Sequence, residues 1–217
     1  MGTVVTGVIL LHGLVRTRWS MQPIAMYLRR FGYVVVNVGY PSRKHSIETL
    51  ARSVIPPAIA ELRRQGVDTI HFVTHSMGGI LLRCFLAGEL LPELGRVVML
   101  SPPNQGSELV DYFRRFGWFR WFFGPAGCQL GTAVTELPHR LGPLLGTVGI
   151  LTGDRPATRL FSGFFPGPND GKVSVARAQA EGMTDFLTMP YGHSFIMYHR
   201  PVQEQVVFFL EQGRFRR

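Results

Sequence analysis

The sequence predicts an α/β protein whose mostly parallel central sheet is covered by helices on both faces. Two observations carry this. Apolar, β-branched runs alternate over the first hundred residues with stretches of helical spacing, the pattern left by strand–helix–strand crossovers. His12, Ser76 and Ser101 each follow such a run directly. They therefore fall at C-terminal strand ends and share one rim, where sites in open parallel sheets gather.

Residues 3–11 are nearly continuous apolar and β-branched residues, the mark of a strand buried on both faces, and they end in His12-Gly13-Leu14. Residues 19–30 have helical periodicity closed by Gly32. Residues 33–40, YVVVNVGY, read as a second buried strand stopped by Pro41. Residues 46–65 are helical in pattern, with Pro56-Pro57 expected to kink or break the helix. The stretch 69–84, TIHFVTHSMGGILLRC, runs from a strand through a sharp turn into a helix reaching about residue 90, with Ser76 at the turn. Such a turn crowds its backbone, so small residues are needed two before and two after the serine. Gly78 satisfies the second and Thr74 only loosely the first. Residues 96–100 give a fourth strand.

From 104 to 146 the alternation stops. DYFRRFGWFRWFFG (111–124) is followed by a Gly- and Pro-rich passage holding Cys128, Leu137, Pro138 and Leu141. We expect an aromatic, lid-like insertion after the fourth parallel strand, above the rim. Its Phe113, Phe116, Trp118, Phe119, Trp121, Phe122 and Phe123 are spread around the helix axis with Arg114, Arg115 and Arg120 between them. A flap packed on the body and an interfacial segment touching lipid fit equally well. Residues 147–152 resume the sheet and end at Gly153-Asp154. A long loop (155–172) contains Pro166-Gly167-Pro168-Asn169-Asp170-Gly171. Residues 173–178 alternate weakly, 184–189 form the last strand, and 195–212 read as a closing helix after Gly192-His193-Ser194.

At 217 residues and 46% hydrophobic, the chain can fill one core and not two, so a single domain (1–217) with 104–146 as a lid within it is expected. A charged fraction of 17% argues against disorder. No apolar run is long enough to span a bilayer, and the N-terminus lacks a basic stretch before its apolar run. A cytoplasmic or peripheral-membrane protein is favoured, with a mature secreted form left open. Met1-Gly2 with Thr6 matches a myristoylation pattern at the level of chance. Cys84 and Cys128 make neither a disulfide framework nor a metal cluster. Net charge is +9, yet no zinc-finger spacing or RNA-binding aromatic motif accompanies it. An anionic membrane or lipid surface is a more natural partner than nucleic acid.

A serine hydroxyl becomes nucleophilic when a histidine takes its proton, and that histidine needs a carboxylate to hold its tautomer. His193, in a turn directly after the last strand, can swing over the rim. His71 lies inside a strand, His75 is adjacent to the serine and points elsewhere, His139 is in the insertion, His199 is in the final helix, and His45 precedes a helix. For the acid, Asp154 ends a clear strand and Asp170 sits in Asn-Asp-Gly-Lys-Val; both also suit a turn. Spacing alone leaves the two open.

Together, His12-Gly13-Leu14, Thr74-His75-Ser76-Met77-Gly78-Gly79, Asn169-Asp170-Gly171-Lys172-Val173 and Gly192-His193 resemble the lipase and esterase branch of the α/β-hydrolase superfamily, and within it small bacterial serine lipases. The resemblance covers residues 5–209 apart from the insertion. It implies an α/β-hydrolase fold with Ser76 as nucleophile, Asp170 as acid ahead of Asp154, His193 as base, and the Leu14 and Met77 amides as oxyanion donors. His12, Gly13, His75, Phe113 and Trp118 are candidate substrate contacts. Thr74 stands where the family usually has Gly or Ala, which predicts a strained or altered turn. The implied activity is hydrolysis of an apolar acyl ester through an acyl-enzyme, with no metal or organic cofactor. A thioesterase or acyltransferase would use the same residues, and a non-catalytic lipid- or partner-binding member of the fold would not need them.

Overall fold

The computed structural model describes residues 5–158 and 163–217. The expected strand start at Thr3 and Val4, the Met1-Gly2 pattern, and residues 159–162 of the long loop lie outside the described residues. Among the described residues, β1 (Thr6–Leu11), β2 (Val34–Val38), β3 (Thr69–His75), β4 (Leu94–Leu100), β5 (Thr147–Gly153) and β6 (Asp185–Met189) form one sheet. Its order is β2-β1-β3-β4-β5-β6 and every pairing is parallel.

The two faces carry separate cores. Side chains alternate along a strand, so Ile9, Phe72, Met99 and Ile150 point to one face while Val8, Val73, Leu100 and Leu151 point to the other. The first face is covered by α2 (Ile47–Arg64) and α3 (Met77–Leu86), the second by α1 (Gln22–Arg30) and α8 (Arg200–Gln212). Strand β2 was expected to be buried, yet all five of its residues are half-buried. Its valines do reach both cores, but it lies at the sheet edge with one neighbour.

Helix α2 runs unbroken through Pro56-Pro57, against expectation. Both prolines and the Arg52 and Ser53 carbonyl positions that lose their donors lie on the exposed face, where water can take over the bonding. Ser46 caps the helix, accepting the Thr49 N–H at 3.3 Å. Strands β3 and β4 shift register between Ile70 and Phe72. There the His71 Nδ1 accepts the Arg96 N–H at 2.6 Å, and burial, with the Arg96 charge, pushes its pKa down to about 4.

Three further expectations are corrected. Helix α3 stops at Leu86, well short of residue 90. Residues 173–178 do not extend the sheet: α7 (Val175–Ala178) is one turn capped by Ser174, whose Oγ accepts the Arg177 N–H. The closing helix begins only at Arg200, with a 3-10 turn (His193–Tyr198) before it, and His199 is its extended N-cap. The His199 ring stacks on Tyr191 at 3.9 Å.

The 104–146 segment contains α4 (Glu108–Phe113), α5 (Gly117–Cys128) and α6 (Leu137–Arg140). Helix α5 is broken at Gly124, φ 67, where a Cβ would lie 1.8 Å from the Arg43 carbonyl oxygen. The aromatics do not ring one axis evenly. Phe119 is buried and Phe113 and Phe123 pack on the core, while Trp118, Trp121 and Phe122 face solvent, Trp121 at 84% exposure. The base of the segment is tied to α3 by Arg83. Its guanidinium donates to Asn104 O at 2.9 Å and to Gly142 O at 2.7 Å. No carboxylate faces Arg83 among the described residues, and burial lowers its pKa to about 10.

Candidate active site

At the end of β3 the chain turns through Ser76, φ 53 and ψ −125, directly into α3. Such a backbone costs a non-glycine residue about 1–3 kcal/mol and persists only where its surroundings enforce it. The surroundings are visible: a Cβ on Gly78 would lie 2.5 Å from Leu11 O and 2.8 Å from His12 O. Helix α3 thus rests directly on the end of β1. Thr74, expected to strain or alter the turn, is fully buried against Gly79, and its Oγ1 has no hydrogen-bond partner among the described residues.

The Ser76 hydroxyl is 2.9 Å from His193 Nε2, and His193 Nδ1 is 2.8 Å from Asp170 Oδ2. Because an ionised carboxylate only accepts, Nδ1–H donates to Asp170, which leaves Nε2 to accept from the serine O–H. The Asp170 Oδ1 accepts the amides of Lys172 at 2.9 Å and Val173 at 2.8 Å. His193 N–H also donates to Asp170 O at 2.9 Å, so ring and backbone both dock on this aspartate. Gly153 makes room: a Cβ there would lie 1.9 Å from Tyr191 O and 3.1 Å from Asp170 Cβ. Asp154 is not brought to His193. Its amide donates to Met189 O, and among the described residues its Oδ1 is buried without a partner.

The loop after β1 passes over the serine turn. A Cβ on Gly13 would lie 3.0 Å from both His75 Nδ1 and Ser76 Cβ. Arg16 N–H donates to Gly13 O at 3.3 Å, closing a turn in which Val15 adopts φ 59, a conformation foreign to a β-branched residue. Leu14 and Met77 N–H groups find no protein acceptor among the described residues, Met77 being the first residue of α3.

His12 and His75, read as substrate contacts, are both buried. His12 stacks on Tyr40 at 3.9 Å; its Nδ1–H donates to Gly13 O at 2.9 Å and its Nε2 accepts the Tyr40 N–H. The Tyr40 hydroxyl donates to His12 O. His75 Nε2–H donates to the His193 backbone carbonyl at 2.9 Å, and the two rings lie 4.9 Å apart, tilted by 52°. Burial keeps both pKa values below the ordinary range, His75 well below it. Phe113 and Trp118 meet each other at 5.6 Å in the aromatic cluster of the 104–146 segment.

Sequence reasoning placed Ser101 at the rim without its left-handed backbone, and missed Val15. With Ser76 they are the only non-glycine residues at positive φ among the described residues, at the ends of β1, β3 and β4. Neither residue type signals that conformation. It also missed the bond that makes His75 a support for His193, since only the fold brings these residues together. Among the described residues, no group of three or more His, Cys, Asp or Glu side chains could hold a metal ion.

The alpha/beta hydrolase family pattern matches residues 8–209. The chain belongs to that family. Among curated proteins no sequence matches it. This hydrolase is similar in structure to the phospholipase PlaB from Legionella pneumophila, with a TM-score of 0.74 at 18% identity over 97% of this chain and 60% of that one. It therefore spans less than two thirds of that phospholipase. The lipase BlEst2 of Bacillus licheniformis, in mature form, gives 0.69 at 18% identity over 98% and 93%. The metagenomic carboxyl esterase MGS0156 gives 0.69 at 21% identity over 89% and 66%. At such identities the likeness is one of fold.

Proposed function

We propose that this hydrolase cleaves carboxylic esters with Ser76 as nucleophile, His193 as base and Asp170 as the residue that holds the base. The observation that carries the reading is the unbroken line Ser76 Oγ, His193 Nε2 and Nδ1, Asp170 Oδ2, with links of 2.9 and 2.8 Å, ending on a serine held at φ 53. As Ser76 attacks the ester carbonyl, its proton passes to His193 Nε2, and the imidazolium is stabilised by Asp170. The Leu14 and Met77 amides serve as oxyanion donors, each contributing roughly 3 kcal/mol to the transition state. His193 then protonates the departing alcohol, and water, activated by the same ring, releases the acid.

His12 and His75 take supporting roles in this scheme. His12 shapes the Gly13 loop and His75 sets the height of His193; substrate contact falls to Gly13 and to the 104–146 segment. We read that segment as a lid on a single domain. Helix α5 reaches the oxyanion loop, where a Cβ on Gly127 would come within 3.2 Å of Leu14 Cδ2. Its outward Trp118, Trp121 and Phe122, with Arg43 over the Phe122 ring and Arg115 over Tyr112 and Phe116, suit an anionic lipid surface. No helix among the described residues is long and apolar enough to cross a membrane, so contact would be peripheral.

The test is a fluorophosphonate probe with p-nitrophenyl acyl esters. Folded protein is expected to be labelled at Ser76 and heat-unfolded protein not. Ser76→Ala should lose at least about 10⁴-fold in kcat/KM. Full ester hydrolysis by that variant would sink the proposal. Acyl thioesters run in parallel separate an esterase from a thioesterase.

A further inference from the structure

We propose that Arg16 and Lys172 form a binding site for an anionic group carried by the substrate ester. The inference rests on the reading of Ser76 as nucleophile and names the substrate class for that site.

The two cations come from loops that build the site. Arg16 is two residues past Leu14 and Lys172 two past Asp170. The Arg16 Nη2 donates to Ser194 O at 3.1 Å, one residue beyond His193, and its guanidinium lies 5.5 Å from the Phe195 ring centre. One of five N–H donors is thereby used and the fork is held in place. Lys172 is pinned by its backbone, the amide on Asp170 Oδ1 and the carbonyl accepting the Ser107 hydroxyl at 2.7 Å, while its side chain is exposed.

Neither has a carboxylate partner within ion-pair distance among the described residues. Among the described residues Arg63, Arg64, Arg114, Arg177, Arg200 and Arg217 each pair with a carboxylate, but Arg16 and Lys172 do not. Asp170 is the acid near them, and it is occupied by His193 and two amides. Both flank His193: Arg16 bonds the carbonyl of Ser194, the next residue, and Lys172 follows Asp170, whose carbonyl accepts the His193 N–H at 2.9 Å and whose Oδ1 accepts the Lys172 N–H. Two like charges flanking His193 repel, and a visiting anion relieves that repulsion while gaining both attractions. A phosphate suits the arrangement, since the guanidinium offers a planar fork and the ammonium a mobile point charge. A carboxylate shares that chemistry.

Matched soluble esters separate the sources. In one pair, 1-hexanoylglycerol is compared with 1-hexanoylglycerol 3-phosphate, placing the anion on the alcohol side. In the other, ethyl pentanoate is compared with monoethyl glutarate, placing it on the acyl side. In at least one pair kcat/KM should favour the anionic ester about tenfold or more at about 20 mM salt, and about 0.5 M salt should erase the preference. Arg16→Met and Lys172→Met should each cut the ratio several-fold, Arg16→Lys should keep most of it, and Lys172→Glu should invert it. A ratio near one in both pairs, or one unchanged by the variants, overturns the proposal and marks the two as ordinary surface cations. Glycerol 3-phosphate and glutarate titrated into the Ser76→Ala protein give a readout independent of turnover. Binding of one of them, lost in Arg16→Met/Lys172→Met, is expected; binding of neither, or unaltered binding, refutes the site. If Ser76→Ala instead retains ester hydrolysis, the nucleophile reading fails and the titration alone judges the anion site.

Discussion

At the ends of β1 and β3 there is no room for one more carbon, whereas forty residues on, between 112 and 123, tryptophans stand in solvent. A Cβ on Gly78 would strike the Leu11 and His12 carbonyls and one on Gly13 would press on the His75 and Ser76 side chains, while Val15 and Ser76 sit at φ 59 and 53. In α5, by contrast, Trp118 and Trp121 are 52% and 84% exposed. The rim spends folding energy on geometry, which suits the reaction centre proposed there, since oxyanion donors have to be in place before charge develops. The 104–146 segment keeps apolar surface uncovered, which suits contact with something outside the chain.

The sharpest way to break this contrast is at the rim's carboxylates. Asp170→Asn should lower kcat by about 10⁴-fold, because His193 loses the partner that holds its tautomer. Asp154→Asn should leave turnover within a few-fold, and equal losses in steady-state kinetics would undo the assignment. Next come the glycines. Gly78→Ala drives a methyl into the Leu11 carbonyl and should cost about 3 kcal/mol or more in urea unfolding. Gly117→Ala, in α5 with open space around it, should be neutral or stabilise by about 0.5–1 kcal/mol.

Acid offers a third comparison. His12 and His75 at the rim, and His71 within β3, have folded-state pKa values below those of an unfolded chain. Their unfolded forms bind protons that the folded forms refuse, so stability is full above about pH 6.5 and falls as pH drops towards 4. His71 alone, at about 4, should account for roughly 3 kcal/mol. Denaturant melts at pH 7.5 and 4.5 check this, and His71→Leu should flatten the slope. The smallest stability change is expected at Trp118→Ala/Trp121→Ala, within about 0.5 kcal/mol. Sedimentation with anionic vesicles should nonetheless show binding reduced about tenfold or more; undiminished binding would make these rings an ordinary surface.

Much of the sheet was legible because buried parallel strands write themselves as unbroken apolar runs, as in β1, β3 and the end of β4. The order of β2 at the edge was not, since YVVVNVGY has the composition of an interior strand and only neighbours decide its burial. The helix through Pro56-Pro57 defied a sound local rule because the freed carbonyls face water. At the site, Ser76 and Gly78 were readable from the crowding that a strand-to-helix turn imposes. His193 and Asp170 were candidates by position; spacing left Asp170 and Asp154 open and the resemblance favoured Asp170, while the close packing of Gly153 on Tyr191 and Asp170 is set by the fold and by no local pattern. Val15 at φ 59 and the buried Arg83 were illegible for the same reason: their surroundings, and not their types, put them there.

Arg83 ties Asn104 to Gly142, and Asn104 in turn donates to Ala178 O. The span between is thus closed at its neck by a side chain of the helix that Ser76 begins. Closing a longer loop costs little more than closing a shorter one, so this stretch can be lengthened, shortened or rewritten while the sheet beneath keeps its register. Substrate preference can drift on one side of that arginine while the chemistry on the other stays where it is.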